Sequence, residues 1–337
     1  MSNDVLSLFG SRQVRLFGFA RAALLHGLEL MGISRGDSLL VPSFICDVVL
    51  APLNRMGVEP VFYSVGQDLR PNLQEAERLL RPQTRALLAV NYFGFPQDWR
   101  ALRAWTDGKG LRLIEDNAHG FVSCEGEQPL GLSGDISICS FRKSLPVPDG
   151  AALVLNDTDL AATDRTSGDA SRLAVVPTVK MLVRHLAERA GLGEVVRRIQ
   201  KVRHKDESLS GHEEEHELES YLVPCTLYSR LALLWVNIPK FRKMRRQHYE
   251  SWLQWCVGRS GVCPIWQDLP AGVVPLALPL HVGDPAAVDR LRAECHGAEV
   301  RHWPRLPESI TNNVSALPSF HRNIWTISLN IPAPKRG

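Results

Sequence analysis

Short apolar runs and longer amphipathic segments take turns along the first half of the chain. The runs are Ser38-Val41, Pro60-Tyr63, Ala86-Val90, Leu111-Ile114, Ile136-Cys139 and Ala151-Leu155; up to about Ala118 they alternate with Arg21-Met31, Asp47-Met56, Asn72-Leu80 and Asp98-Thr106, whose apolar positions recur at helical spacing. Runs that are apolar at every position belong to strands covered on both faces, so the pattern predicts an α/β fold with a mostly parallel central sheet flanked by helices. Gly32 and Gly57 stand where helices should end, and Pro60 stands where a strand can start.

Past Asp157 the pattern changes. Lys180 to Lys205 hold eight Lys/Arg against two acids, and Asp206 to Glu219 hold seven acids and no Lys/Arg. Apolar residues Met181, Leu182, Leu186, Val195, Val196, Ile199 and Val202 give this stretch amphipathic faces, interrupted near Gly191-Gly193. Opposite charge blocks side by side neutralise one another, so the basic face reads as a solvated helical surface. From Leu222 an apolar helix through Trp235, a basic helix around Arg242-Tyr249, a strand over Val273-Leu280, a helix near Ala286-Cys295 and a strand at Trp325-Leu329 follow. The expected organisation is a large α/β domain over 1–160, a charged helical insert over 161–221 and a smaller α+β domain over 222–337.

Composition narrows the class. The 337 residues are 45% hydrophobic, with 39 basic against 36 acidic residues and a net charge of +3, which gives no reason to expect a nucleic-acid or membrane partner. Seven cysteines without CxxC spacing suggest neither a disulfide framework nor a structural zinc site and fit a reducing cytoplasm. Neither a cleavable leader nor a spanning apolar run is found, so the expectation is a soluble protein.

The candidate chemistry lies between Leu111 and Asn156. An acid, Asp116, closes one strand, and Lys143 follows another, inside Ser140-Phe141-Arg142-Lys143. A carboxylate that keeps a pyridinium nitrogen protonated and an amine that bonds an aldehyde are what pyridoxal-phosphate chemistry requires. Glu115 should point to the opposite face and be structural. His212-Glu213-Glu214-Glu215-His216 fits a zinc-protease pattern, but its polar flanks mark an exposed acidic linker, and no metal site is expected.

The order of motifs resembles the DegT/DnrJ/StrS sugar aminotransferases. It runs through Ala20-Arg21-Ala22-Ala23-Leu24, Gly36-Asp37-Ser38, Pro60-Val61-Phe62, Asn91-Tyr92-Phe93-Gly94, Glu115-Asp116-Asn117-Ala118-His119, Gly134-Asp135, Ser140-Phe141, Lys143 and Asp149-Gly150, and more faintly from Arg230 to Trp303-Pro304. The resemblance implies the type I fold of pyridoxal-phosphate transferases, with pyridoxal 5'-phosphate as cofactor. It also implies a nucleotide-linked keto sugar as substrate, glutamate or glutamine as amino donor, and a homodimer.

Carried over residue by residue, Lys143 would bond the cofactor and move protons, and Asp116 would hold the ring nitrogen. His119 would meet the phenolic oxygen or serve only as a hydrogen-bonded loop histidine. The Ala20-Arg21 turn and Ser140 would take the phosphate. Cys46 stands where the family usually has a stacking aromatic ring, a role open also to Phe44 or Tyr92. The chain has two residues fewer than the family before Lys143; Lys109 and Lys180 are the weaker competitors for its role. Two alternatives stay open: another pyridoxal-phosphate outcome such as dehydration or racemisation, or a catalytically silent relative that binds a sugar nucleotide or a partner protein.

Overall fold

A computed structural model describes residues 5–164, 224–295, 297–303, 306, 310 and 319–334. In chain order the large sheet and its helices are β1 (Gln13–Phe17), α1 (Ala20–Leu30), β2 (Ser38–Pro42), α2 (Leu50–Met56), β3 (Glu59–Tyr63), α3 (Leu73–Arg78), β4 (Thr84–Val90), α4 (Trp99–Asp107), β5 (Arg112–Asp116), the hairpin β6 (Cys124–Glu125) and β7 (Gln128–Pro129), β8 (Ile136–Ser140), β9 (Ala151–Leu155) and α5 (Thr158–Thr163). Strand order is β1-β9-β8-β5-β4-β2-β3. From β8 to β3 every pair is parallel, and β9 runs antiparallel to both of its neighbours. β2, β8 and β9 are buried at every position, as their unbroken apolar runs require.

The chain resumes with α6 (Leu227–Trp235), α7 (Ile238–Cys256), β10 (Val262–Pro264), β11 (Ala277–Val282), α8 (Pro285–Glu294), β12 (Val300–His302) and β13 (Ile324–Ser328). The four strands form an antiparallel sheet in the order β10-β11-β13-β12. One apolar core runs through both sheets, joining Leu87, Ile114 and Phe93 to Tyr249, Trp252, Leu278 and Ile327. Thr226 caps α6 by accepting from Ser229 N–H, and Asn237 caps α7 by accepting from Lys240 N–H.

The sequence reading missed β1. It is an edge strand of five residues, and it forms by pairing with β9 from Gln13↔Leu155 to Phe17↔Ala151. The strand read over Val273-Leu280 shifts to Ala277–Val282. Its first residues bond to the large sheet's loops instead: Val274 N–H donates to Ser123 Oγ at 2.9 Å, and Leu276 N–H donates to Phe93 O at 2.8 Å. The basic helix around Arg242-Tyr249 is part of the longer α7. The charged insert and His212-Glu213-Glu214-Glu215-His216 lie outside the described residues, apart from the end of α5.

Candidate active site

The carboxyl ends of β4, β5 and β8 meet at one cavity, the place where open α/β sheets hold ligands. Ala20, Arg21, Cys46, Asp116, His119, Ser140 and Lys143, the seven positions singled out by sequence, all line it. Phe19, Phe44, Tyr92, Arg142 and Trp303 line it too.

Asp116 is the last residue of β5, and its neighbour Glu115 shows how strand alternation separates the two acids. Asp116 faces the cavity, accepting Ala118 N–H at 3.0 Å. Burial raises its pKa, against the opposing pull of Lys143 and that N–H. Glu115 points away and is fully buried. Its Oε1 accepts from Asn91 Nδ2 at 2.8 Å and Gly131 N–H at 2.6 Å; its Oε2 accepts from Ser133 N–H at 2.9 Å, Gly134 N–H at 3.4 Å and Ser137 Oγ at 3.1 Å. This carboxylate organises the loop that returns to β8.

Lys143 ends a 3-10 turn, Phe141–Lys143, that starts where β8 stops. A 3-10 turn is tighter than an α turn. The shortened connection therefore still carries the amine into the cavity, where Nζ lies 3.0 Å from His119 Nε2. The loop is held by backbone bonds at its base: Phe141 N–H donates to Gly150 O at 3.0 Å, and Gly150 N–H donates to Gly18 O at 2.7 Å. Asp149 fastens its return, accepting Ser229 Oγ at 2.6 Å and Thr226 Oγ1 at 2.8 Å from the start of α6. Burial lowers the Lys143 pKa; Asp116 and Cys46 oppose the shift, and Arg142 and Arg301 add to it.

His119 is bonded at both ring nitrogens. Phe93 N–H donates to Nδ1 at 3.1 Å, and Nε2 faces Lys143. Its ring meets Trp303 edge-on at 5.1 Å, and Trp303 meets Phe93 at 4.6 Å. Burial first, and the positive charge that Lys143 carries when protonated second, hold its pKa well below the ordinary histidine value.

Ala20 opens α1, which is preceded by Phe19 and has no side-chain cap, so the first-turn amides and the helix dipole face the cavity with positive potential. Arg142 approaches the Phe19 ring at 5.3 Å. Ser140 is buried at the end of β8. Cys46 donates its thiol to Asp47 Oδ1 at 3.3 Å, and burial raises its pKa. Tyr92 hydroxyl donates to the Phe44 backbone O at 2.5 Å, and the two rings lie 5.5 Å apart beside Cys46. Among the described residues no group of three or more His, Cys, Asp or Glu could hold a metal ion.

Sequence reasoning gave Phe19, Arg142 and Trp303 no role. Arg142 carried a usable signal, its place next to the lysine. Trp303 had none beyond the faint resemblance of its region, because it reaches the cavity from the second sheet.

Comparison with known proteins finds relatives for both the sequence and the fold. A sequence model described as the DegT/DnrJ/EryC1/StrS aminotransferase family matches residues 8–172. A GDP-perosamine synthase of Vibrio cholerae is 29% identical over 140 residues, which are 41% of this chain and 38% of that protein. The match thus spans well under two thirds of that relative's length. Among solved structures, the aminotransferase TlmJ from Streptoalloteichus hindustanus has a TM-score of 0.64 at 20% identity, covering 94% of this chain and 80% of its own. Helicobacter pylori PseC, an aminotransferase involved in the biosynthesis of pseudoaminic acid, has a TM-score of 0.67 at 14% identity, covering 97% and 84%. At these identities the two structures show a shared fold.

Proposed function

Through residues 8–172 the chain belongs to the DegT/DnrJ/EryC1/StrS aminotransferase family, and on that premise we propose that it is a pyridoxal-phosphate aminotransferase acting on a nucleotide-linked keto sugar. The observation that carries this reading is the placing of the Lys143 amine and the buried Asp116 carboxylate in one cavity. Their chemistry fits the cofactor: an anion site at the start of α1, an acid at the end of β5 and an amine opposite. When bound, pyridoxal phosphate supplies an aldehyde that carries the amino group and an electron-poor ring.

The α1 amides, Arg21 and Ser140 would hold the phosphate. Asp116 would keep a proton on the ring nitrogen, and its burial away from water strengthens that charge pair. Lys143 would bond the aldehyde with loss of water and, once the amino donor has displaced it, would take and return a proton at Nζ. Phe44, Cys46 and Tyr92 would narrow the cavity beside the ring, and Trp303 would close it from the second sheet and exclude water.

The finer parts of the reading follow the family. It includes a homodimer, glutamate or glutamine as donor, a large domain carrying the site with a smaller one after the insert, and a cytoplasmic location. The seven free cysteines support a reducing compartment, and no described helix is long and apolar enough to cross a membrane. The test is to incubate the purified chain with pyridoxal phosphate, reduce with borohydride and map the adduct. It should sit on Lys143, and the holoprotein with glutamate should aminate a keto-sugar nucleotide, read by mass spectrometry. An adduct elsewhere, or none, rejects the reading.

A further inference from the structure

We infer that His119 is a positioning residue locked in one tautomer by the Phe93 backbone, and that its Nε2–H holds the Lys143 amine with its lone pair engaged inside the cavity. The inference deepens the proposed function, since it concerns how the amine of that reading is kept ready.

The hydrogen bonds leave one arrangement. A backbone N–H can only donate, so the Phe93 N–H at 3.1 Å makes His119 Nδ1 an acceptor without a proton. A neutral imidazole then carries its proton on Nε2. That nitrogen is 3.0 Å from Lys143 Nζ, so the bond runs from Nε2–H to Nζ, and Nζ must offer a lone pair. An ammonium at Nζ would need Nε2 to accept, which would leave the ring with no proton at all. An imidazolium would oppose N–H to N–H at Phe93.

The surroundings maintain the arrangement. Phe93 has φ 54° and ψ 16°, a left-handed conformation that disfavours any residue with a Cβ. That turn aims its N–H at Nδ1. The edge-on contacts of Trp303 with both the Phe93 and His119 rings keep the imidazole from turning over. Of the charged groups facing Lys143, Asp116 favours the ammonium, and Arg142 and Arg301 favour the amine. The His119 donor tips this balance towards the amine.

The test uses the full chain without pyridoxal phosphate, so it stands or falls apart from the proposed function. Long-range proton–nitrogen correlation on histidine-labelled protein at neutral pH should show His119 Nδ1 unprotonated and Nε2 protonated. A protonated Nδ1 overturns the inference. Competitive acylation with acetic anhydride across pH, read on the Lys143 peptide, should show about tenfold less free amine at neutral pH in folded His119→Phe than in the parent, the size of one lost hydrogen bond. His119→Gln, whose amide can still donate, should recover most of that loss. An unchanged Lys143 profile in His119→Phe also overturns the inference. Failure of pyridoxal phosphate to bond Lys143, with both results as expected, would reject the proposed function and leave the locked pair standing.

Discussion

Replacing Glu115 by Gln keeps the shape of the side chain and removes half of its accepting capacity. In the parent, Oε1 serves Asn91 Nδ2 and Gly131 N–H, and Oε2 serves Ser133 N–H, Gly134 N–H and Ser137 Oγ. Whichever way the new amide turns, its NH2 end faces at least two buried donors. Each donor left without an acceptor costs about 1–3 kcal/mol, for a gross loss of about 2–6 kcal/mol. Burial of the parent carboxylate, which raises its pKa, carries a desolvation cost that the neutral amide avoids. The net destabilisation should therefore fall near about 2–4 kcal/mol. Urea denaturation of the full chain, followed by tryptophan fluorescence and far-ultraviolet circular dichroism, measures it. A midpoint corresponding to less than about 0.5 kcal/mol of loss would refute the view that this carboxylate organises the loop before β8.

Lys143→Ala and Lys143→Arg should both lose borohydride-fixed pyridoxal phosphate while near-ultraviolet circular dichroism stays that of the parent, because guanidinium remains protonated and cannot replace the amine; label retained in either variant rejects the assignment. Asp116→Asn should keep the cofactor through its phosphate and slow its conversion by amino donor about 100-fold or more, measured by stopped flow, with a near-parent rate as the contrary result. His321 is buried against Phe44, and burial drops its pKa to about 4 from an ordinary 6.5. Its folded pKa is depressed, so its contribution is present above pH 6.5 and is lost as pH falls towards 4. His321→Gln should reduce that acid loss by at most about 3 kcal/mol, and equal slopes in the two proteins would contradict it. Gly94→Ala should cost about 2–4 kcal/mol in urea, since φ is 91° and a Cβ would lie 2.7 Å from Val274 O; a neutral effect would show that this turn can relax.

Much of the large sheet was legible because strands buried on both faces leave unbroken apolar runs, as at Leu39-Leu40-Val41 and Ala151-Leu155. Asp116 was legible for the related reason that its strand ends at a charged pair whose members must face opposite ways. β1 was not, because Gln13 and Arg15 interrupt the three apolar residues of Gln13–Phe17, which becomes a strand by meeting β9. The start of β11 was misplaced because Val274 and Leu276 spend their N–H groups on Ser123 and Phe93, partners that no local pattern announces. The reach of Lys143 from a shortened loop depends on turn geometry, and the roles of Phe93 and Trp303 on contacts between segments far apart in sequence. Spacing alone conveys none of these.

The bond from Gly150 N–H to Gly18 O fastens the turn that opens α1 to the loop behind the lysine. Chain growth on the ribosome runs from the first of these to the second, so for most of the synthesis of the large sheet the opening turn lacks its bond to Gly150. The edge strand before it waits for β9, and Trp303 arrives later still. A nascent chain released or stalled before β9 emerges would thus carry Asp116 and Lys143 without the enclosure that makes them a site. On the proposed function, capture of cofactor becomes a late event in the birth of the protein, and a sign that the sheet has closed.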